Sequence, residues 1–142
     1  MKKLLAVVLV LVLAFPVLSL ADQDPIIGCW YMLVDIKDTS IELIESGYVF
    51  SVLLFHFTQN GEIYFQEIDF KDSTSDANDP IKLGKWERKG SGYSLSIIGV
   101  GVNDSFIENN QMYACVLGDG LYHLLRKMTF FNLYTEIKHI NN

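Results

Sequence analysis

The amino-acid sequence predicts an all-β protein, an up-and-down antiparallel β-barrel of seven or eight strands. Two observations support this prediction. Apolar and polar side chains alternate with a period of two along much of the chain, as in half-buried strands. Turn-forming residues recur about every 8 to 12 residues, which is typical of barrels and sandwiches. Because an open sheet of this size would leave two unpaired edges, closure into a barrel is the expected outcome.

Residues 1–21 are predicted to be a signal peptide. Two lysines precede an apolar run over 4–20, and Ser19 and Ala21 are small residues at the positions that a signal peptidase recognises. The alternative is an uncleaved membrane anchor, because the run approaches the length of a membrane span. With cleavage, residues 22–142 form one barrel domain that is secreted or lies in the cell envelope.

A second alternative is lipidation of Cys29, which ends a sequence that superficially resembles a lipoprotein cleavage site. Acidic residues and a proline separate this cysteine from the apolar run, whereas a membrane-embedded peptidase needs its site at the end of that run. We therefore expect a free N terminus at Asp22. Mass spectrometry of the mature N terminus distinguishes the three cases.

The charge balance limits the partners of the exported domain. The chain has 11 basic and 17 acidic residues, and loss of Lys2 and Lys3 leaves nine basic residues and a net charge of −8. Such a domain is a poor partner for nucleic acid. An anionic membrane surface would also repel it, so the expected membrane contact is only through an uncleaved signal segment.

The first strand is predicted over residues 28–36, followed by a longer connection over 35–47. Thr39 and Glu42 have the spacing of a helix capping box, and Gly47 could end a short helix. An extended segment is the alternative interpretation.

A hairpin is predicted between strands 49–58 and 62–70. The intervening Asn-Gly pair is typical of a tight hairpin turn. Two registers remain open: a two-residue turn places Phe57 opposite Tyr64, and a three-residue bulged turn shifts every pair by one.

The remaining strands are predicted to form two further hairpins with glycine-rich turns and a short strand between them. Their ranges are 81–88, 93–102, 104–107, 112–117 and 121–128. Apolar residues at helical spacing over 130–140 predict a short C-terminal helix that lies on the barrel.

A Gly-x-Trp motif occurs twice, as Gly28 to Trp30 and as Gly84 to Trp86. Glycine permits the close approach of another backbone or ring, and tryptophan fills a core with its large ring. On these residues the chain resembles the small secreted lipocalin-like domains of the calycin group. The resemblance implies that Trp30 lies near the closed end of the barrel. It also implies that Arg126, on the last strand, packs across the Trp30 ring.

The barrel itself predicts the binding class. A small barrel with an aromatic lining suits one small apolar ligand. The predicted lining consists of aromatic residues on inward-facing strand positions: Phe55, Phe57, Tyr64, Phe65, Trp86 and Tyr93. Tyr64 and Phe65 are neighbours and face opposite sides of the sheet, so the hairpin register decides which one lines the interior. The alternative is an envelope or extracellular protein-interaction module with a filled barrel, whose partner binds the 35–47 connection or the tail.

Neither a catalytic site nor a metal site nor a cofactor is predicted. His56, His123 and His139 lack the spacing of a metal site, and no nucleophile has a base beside it. The acidic residues Asp69, Asp72, Asp76 and Asp79 are expected to form a solvated loop. Glu62 and Glu67 are expected to face solvent.

The two cysteines, Cys29 and Cys115, are predicted to be free thiols. Export favours a disulfide. If the first and last strands pair, however, the last strand separates the two cysteines, which places their Cα atoms at least about 9 Å apart. A disulfide tolerates at most about 7 Å.

Overall fold

The computed structural model describes residues 23–35, 48–71 and 75–129. Every regular element in these ranges is a strand. The strands are β1 (Gly28–Asp35), β2 (Tyr48–Phe57), β3 (Glu62–Lys71), β4 (Ser75–Ala77), β5 (Ile81–Lys89), β6 (Gly92–Ile97), β7 (Gly101–Glu108), β8 (Gln111–Ala114) and β9 (His123–Lys127). The predicted signal peptide, the helical turn between β1 and β2 and the C-terminal helix lie outside the described residues. Among those residues no helix is long and apolar enough to cross a membrane.

Eight of these strands close into an antiparallel barrel, which confirms the predicted fold class. The sheet runs β2-β1-β9-β8-β7-β6-β5-β3, and pairing of β2 with β3 completes the circle, while β4 extends the edge of β3. Closure between the first and last strands is short: Trp30 pairs with Lys127 and Tyr31 with Arg126. The Met128 N–H adds a hydrogen bond of 2.8 Å to the Cys29 carbonyl.

The turn between β2 and β3 is the three-residue bulged form. Thr58 pairs with Glu62 through a backbone hydrogen bond of 2.9 Å, and Gly61 has a φ of +78°, which glycine adopts without steric cost. Phe57 therefore lies opposite Ile63. This register turns the odd-numbered residues of β3 toward the interior.

The prediction of one strand over 93–102 is wrong, because the chain reverses within this range. β6 ends at Ile97, and β7 begins at Gly101 and pairs antiparallel with β6. The Val100 N–H donates to the Ile97 carbonyl over 3.1 Å, and Gly99 has a φ of +79°. Two apolar strands that flank a glycine turn look like one strand when only the alternation of side chains is considered. The short strand predicted over 104–107 belongs to β7.

Apolar side chains form one cluster inside the barrel and a second on its outer wall. The inner cluster is centred on Trp30, Phe57 and Leu95 and includes buried residues from every barrel strand except β5 and β7, which contribute partly buried ones. The second cluster includes Tyr31 and Phe70 and covers the outer face of β1, β2 and β3. Strands β1 to β3 therefore bury apolar residues on both faces.

The two ends of the barrel differ in their connections. Residues 24–27 and the turns at 58–61, 90–91 and 109–110 lie at one end, which we call the capped end. The connections 98–100 and 115–122 lie at the other, which we call the opposite end. The inner side chains of β1 and β3 are more deeply buried near the capped end than near the opposite end.

The structure confirms that Cys29 and Cys115 are free. Cys29 is on β1, Cys115 follows β8, and β9 lies between these strands. We expect two reactive thiols per molecule when the protein is denatured without reductant and titrated with a thiol reagent. A monomeric protein with no reactive thiol would contradict this strand order.

Candidate functional site

Five of the six predicted lining residues lie in the inner cluster. They are Phe55, Phe57, Phe65, Trp86 and Tyr93. The Phe55 and Phe65 rings are 5.3 Å apart, and Trp86 meets Tyr93 edge to face at 5.9 Å. Trp86 also donates from Nε1 to the Thr58 carbonyl over 2.9 Å. These contacts hold the rings in fixed positions, as expected for aromatic pairs in a core.

The sixth residue, Tyr64, does not line the interior. It pairs with His56 on one side and with Lys82 on the other, and all three face the outer wall. Its hydroxyl donates to Glu62 Oε2 over 3.0 Å. The three-residue turn decides this orientation, since a shift of one residue exchanges the two faces of a strand.

The capped end is closed by residues 24–27. Ile26 is fully buried, and its carbonyl accepts a hydrogen bond of 2.8 Å from Trp30 Nε1. Asp24 accepts hydrogen bonds from the Tyr93 hydroxyl over 2.5 Å and from Arg88 over 3.0 Å. Burial, and secondly the bond to Asp24, raise the pKa of Tyr93 to about 12. The phenol therefore stays protonated at neutral pH and remains the donor.

The cation over the Trp30 ring is Lys127, which corrects the prediction for Arg126. Lys127 Nζ is 5.1 Å from the ring centroid and donates to the Pro25 carbonyl over 2.7 Å. Arg126 pairs with Tyr31 and faces the outer wall. The first and last strands therefore pair as expected. The cation that stacks on Trp30 is one residue further along the chain than predicted.

Replacing Lys127 with alanine should lower the free energy of unfolding by about 0.5–2 kcal/mol and change the tryptophan emission, because a partly buried cation over a ring stabilises by about this amount. The matched control is Arg126→Ala, one residue away and exposed, for which we expect a smaller loss and unchanged emission. Urea unfolding followed by fluorescence compares the two. A larger effect of Arg126→Ala would mean that Arg126 is the stacking residue.

On β1 and β3 the inner side chains become more exposed away from the cap, whereas on β2 and β6 the inner Leu53 and Ile97 stay buried there. On β1, Trp30 is 1% exposed, whereas Met32 and Val34 are only partly buried. On β3, Ile63 is fully buried and Phe65 partly buried. The inner face thus leaves apolar surface accessible on β1 and β3 in the half away from the cap.

Polar side chains also face this half of the interior. Ser51 lies opposite Asp69, and Leu53 lies opposite Glu67. Leu53 belongs to the inner cluster, so these side chains are on the inner face. The Ser51 hydroxyl donates to Asp69 Oδ1 over 2.5 Å. Burial, and secondly the charge of Asp69, raise the pKa of Glu67. Asp69 therefore lies in β3 and not in the predicted solvated loop, and Glu67 faces the interior while it stays partly exposed. The inward orientation of both follows from the hairpin register.

The outer wall carries a cavity of about 300 Å³ beside β1, β2 and β3, and Phe65 is also among its lining residues. Cys29, His56 and Tyr64 follow one another across these strands and line it. Burial raises the pKa of the Cys29 thiol to about 12 and lowers the pKa of His56. Both groups are uncharged at neutral pH, and the protonated thiol is a poor nucleophile.

The described ranges contain no group of three or more His, Cys, Asp or Glu side chains that could hold a metal ion. The chain matches no protein-family model, and no curated protein or solved structure is significantly similar to it. Any function must therefore be inferred from the geometry of the barrel itself.

Three features of the site are not predicted from the sequence. Asp24 precedes the first strand, and nothing in its surroundings indicates that it reaches Tyr93 and Arg88. Lys127 differs from the expected cation by one position. The inward orientation of Asp69 is the third, because both faces of its strand carry apolar residues, Ile63 and Phe65 on one and Ile68 and Phe70 on the other, so that parity alone does not identify the inner face.

Proposed function

We propose that the protein is an exported lipocalin-like binding protein that takes one small apolar ligand into the half of the barrel away from the cap. The observation that supports this is the change in packing along the inner face of β1 and β3, from fully buried Trp30 and Ile63 to partly buried Met32, Val34 and Phe65. Accessible apolar surface inside a barrel is the usual lining of a small-molecule site.

The charges on the same inner face limit the chemistry of the ligand. Glu67 and Asp69 are hydrogen-bond acceptors when ionised, and they repel anions. The ligand we propose has an apolar body with a neutral, hydrogen-bond-donating end, such as a long-chain alcohol. A fatty acid of the same length should bind more weakly, because its carboxylate would meet two carboxylates.

Native mass spectrometry and displacement of a neutral fluorescent probe test this proposal. We expect saturable binding of the alcohol that weakens at least about tenfold in Met32→Phe, which fills the accessible space. The control is Leu33→Phe on the outer wall, which should leave binding unchanged. Equal effects of the two variants would exclude the interior as the site.

The alternative is a protein-interaction module with a filled barrel. The tight ring contacts of Phe55 with Phe65 and of Trp86 with Tyr93 favour it. In that case native mass spectrometry of the wild-type protein shows no bound ligand, and the fluorescent probe gives no saturable signal. Crosslinking in the native host would then identify a protein partner.

A further inference from the structure

The exposed apolar side chains are concentrated on one part of the barrel. Seven large apolar residues are exposed among the described residues, and all lie between Ile81 and Tyr122. The most exposed are Ile98 at 73%, Val102 at 72% and Leu121 at 63%. Large exposed apolar patches commonly mark interaction surfaces, so this concentration indicates such a surface.

Three neighbouring chain segments bring these residues together at the opposite end. The Ile98 N–H donates to the Leu83 carbonyl over 2.9 Å, which places the β6–β7 turn beside the start of β5. A methyl group at Gly118 would lie 3.4 Å from Val100 Cγ2, so the same turn also touches the β8–β9 connection. We call this surface the apolar lip, and it consists of Ile81, Ile98, Leu117 and Leu121.

An aromatic group lies on the outer wall next to the lip. The Phe106 and Tyr113 rings stack with centroids 4.9 Å apart, and Tyr122 lies 6.3 Å from Phe106. Tyr122 follows Leu121 directly and is 58% exposed. Aliphatic residues at loop ends with tyrosines beside them resemble the arrangement at membrane interfaces, where a tyrosine keeps its ring in apolar surroundings and its hydroxyl in water.

The charges around the lip favour an electroneutral surface. Asp119 accepts a hydrogen bond from Leu121 N–H and pairs with His123. Lys82, which follows Ile81, pairs with Glu62. The four lip residues are aliphatic, Asp119 lies between Leu117 and Leu121 in the chain, and the exported domain is acidic overall. Anionic lipid headgroups would be repelled, whereas a zwitterionic headgroup layer would not.

We propose that the apolar lip inserts into the interfacial region of an electroneutral lipid bilayer, which places the opposite end of the barrel against the membrane. Binding strength would come from burial of the lip in the headgroup and acyl boundary, as for other interfacial anchors. This differs from the sequence-based expectation of membrane contact only through an uncleaved signal segment. The proposal does not depend on ligand binding, because ligand-free protein presents the same lip.

Flotation with phosphatidylcholine vesicles tests the proposal. We expect wild-type protein to float with the vesicles and the double variant Ile98→Asp, Leu121→Asp to lose at least about tenfold in partitioning, because two apolar side chains are replaced by charges. Both side chains are exposed, so the melting temperature should not change. The control is Gln59→Asp, an exposed position in a turn at the capped end, which adds negative charge without touching the lip.

All three proteins are compared with the same N terminus, verified by mass spectrometry, so that any contribution from residues 4–20 is equal in each. The proposal is overturned by wild-type protein that does not float, by flotation that is equal in the double variant, or by binding that requires anionic lipid. It is also overturned if the lip substitutions abolish a dimer in sedimentation without affecting flotation, since the occupant would then be a second copy. Retention of the long-chain alcohol is measured separately on the double variant. A failure of lipid binding can then be distinguished from a failure of ligand binding.

Discussion

Replacing Trp30 with alanine is expected to lower the free energy of unfolding by about 3–5 kcal/mol, the range for a large buried aromatic side chain. The ring is 1% exposed and fills the inner cluster at the capped end. Its Nε1–H bonds the Ile26 carbonyl over 2.8 Å, and Lys127 lies over its face. The substitution therefore leaves a cavity and removes the contacts that hold residues 24–27 against the barrel.

Urea unfolding followed by far-ultraviolet circular dichroism measures this loss. Trp30→Phe is the matched control, because it keeps an aromatic ring and removes the indole N–H. We expect it to cost about 1–2 kcal/mol. An unfolding midpoint of Trp30→Ala equal to that of the wild type would show that the ring is not part of the core, and the lipocalin-like hypothesis would lose its main support.

Gly84→Ala should destabilise the protein by about 3 kcal/mol, at the upper end of the usual overpacking range. A Cβ at this position would lie 2.0 Å from the Ser96 carbonyl oxygen and 3.1 Å from the Ile97 Cα. Both are backbone atoms of β6, which pairs with β5 at Gly84 and Ile97. Because a backbone in a closed barrel cannot move away as a flexible side chain can, the two strands must separate locally.

Gly90→Ala is the control for this prediction. Gly90 has a φ of +60°, and no atom lies within 4 Å of the position that an added methyl group would take, so alanine there is strained only by its backbone conformation. We expect a loss of about 1–2 kcal/mol. Chemical denaturation of both variants separates the two causes. A Gly84→Ala protein as stable as Gly90→Ala would show that β5 and β6 are not in close backbone contact.

The two Gly-x-Trp motifs show how much of the architecture could be predicted from short patterns. Glycine at position 84 is expected to permit close approach of another backbone, and Ser96 makes that approach. Most strand ranges follow from the alternation of side chains, which reports which face of a strand is buried, whereas the chain reversal between β6 and β7 does not. The order of strands follows from short connections, because consecutive strands with tight turns pair with each other.

Predictions that depend on a single residue position are less successful. The interior position belongs to Phe65 and not to Tyr64, because the turn contains three residues. The cation over Trp30 is Lys127 and not Arg126, because the short β1–β9 pairing places Lys127 opposite Trp30. A change of one residue in register exchanges the two faces of a strand, and the pattern of the strand alone does not set its register against a partner distant in the chain.

The sequence by itself determined the all-β class, the closed antiparallel barrel and the burial of Trp30, since these follow from local periodicity and from the need to pair sheet edges. Only the tertiary structure decided the contact of Asp24 with Tyr93, the inward orientation of Glu67 and Asp69, and the grouping of Ile81, Ile98 and Leu121 in one lip. Each of these joins residues through pairing or loop contacts between different strands. The physical reason is that local periodicity determines which face of a strand is buried, whereas the register and closure of the barrel determine what that face meets.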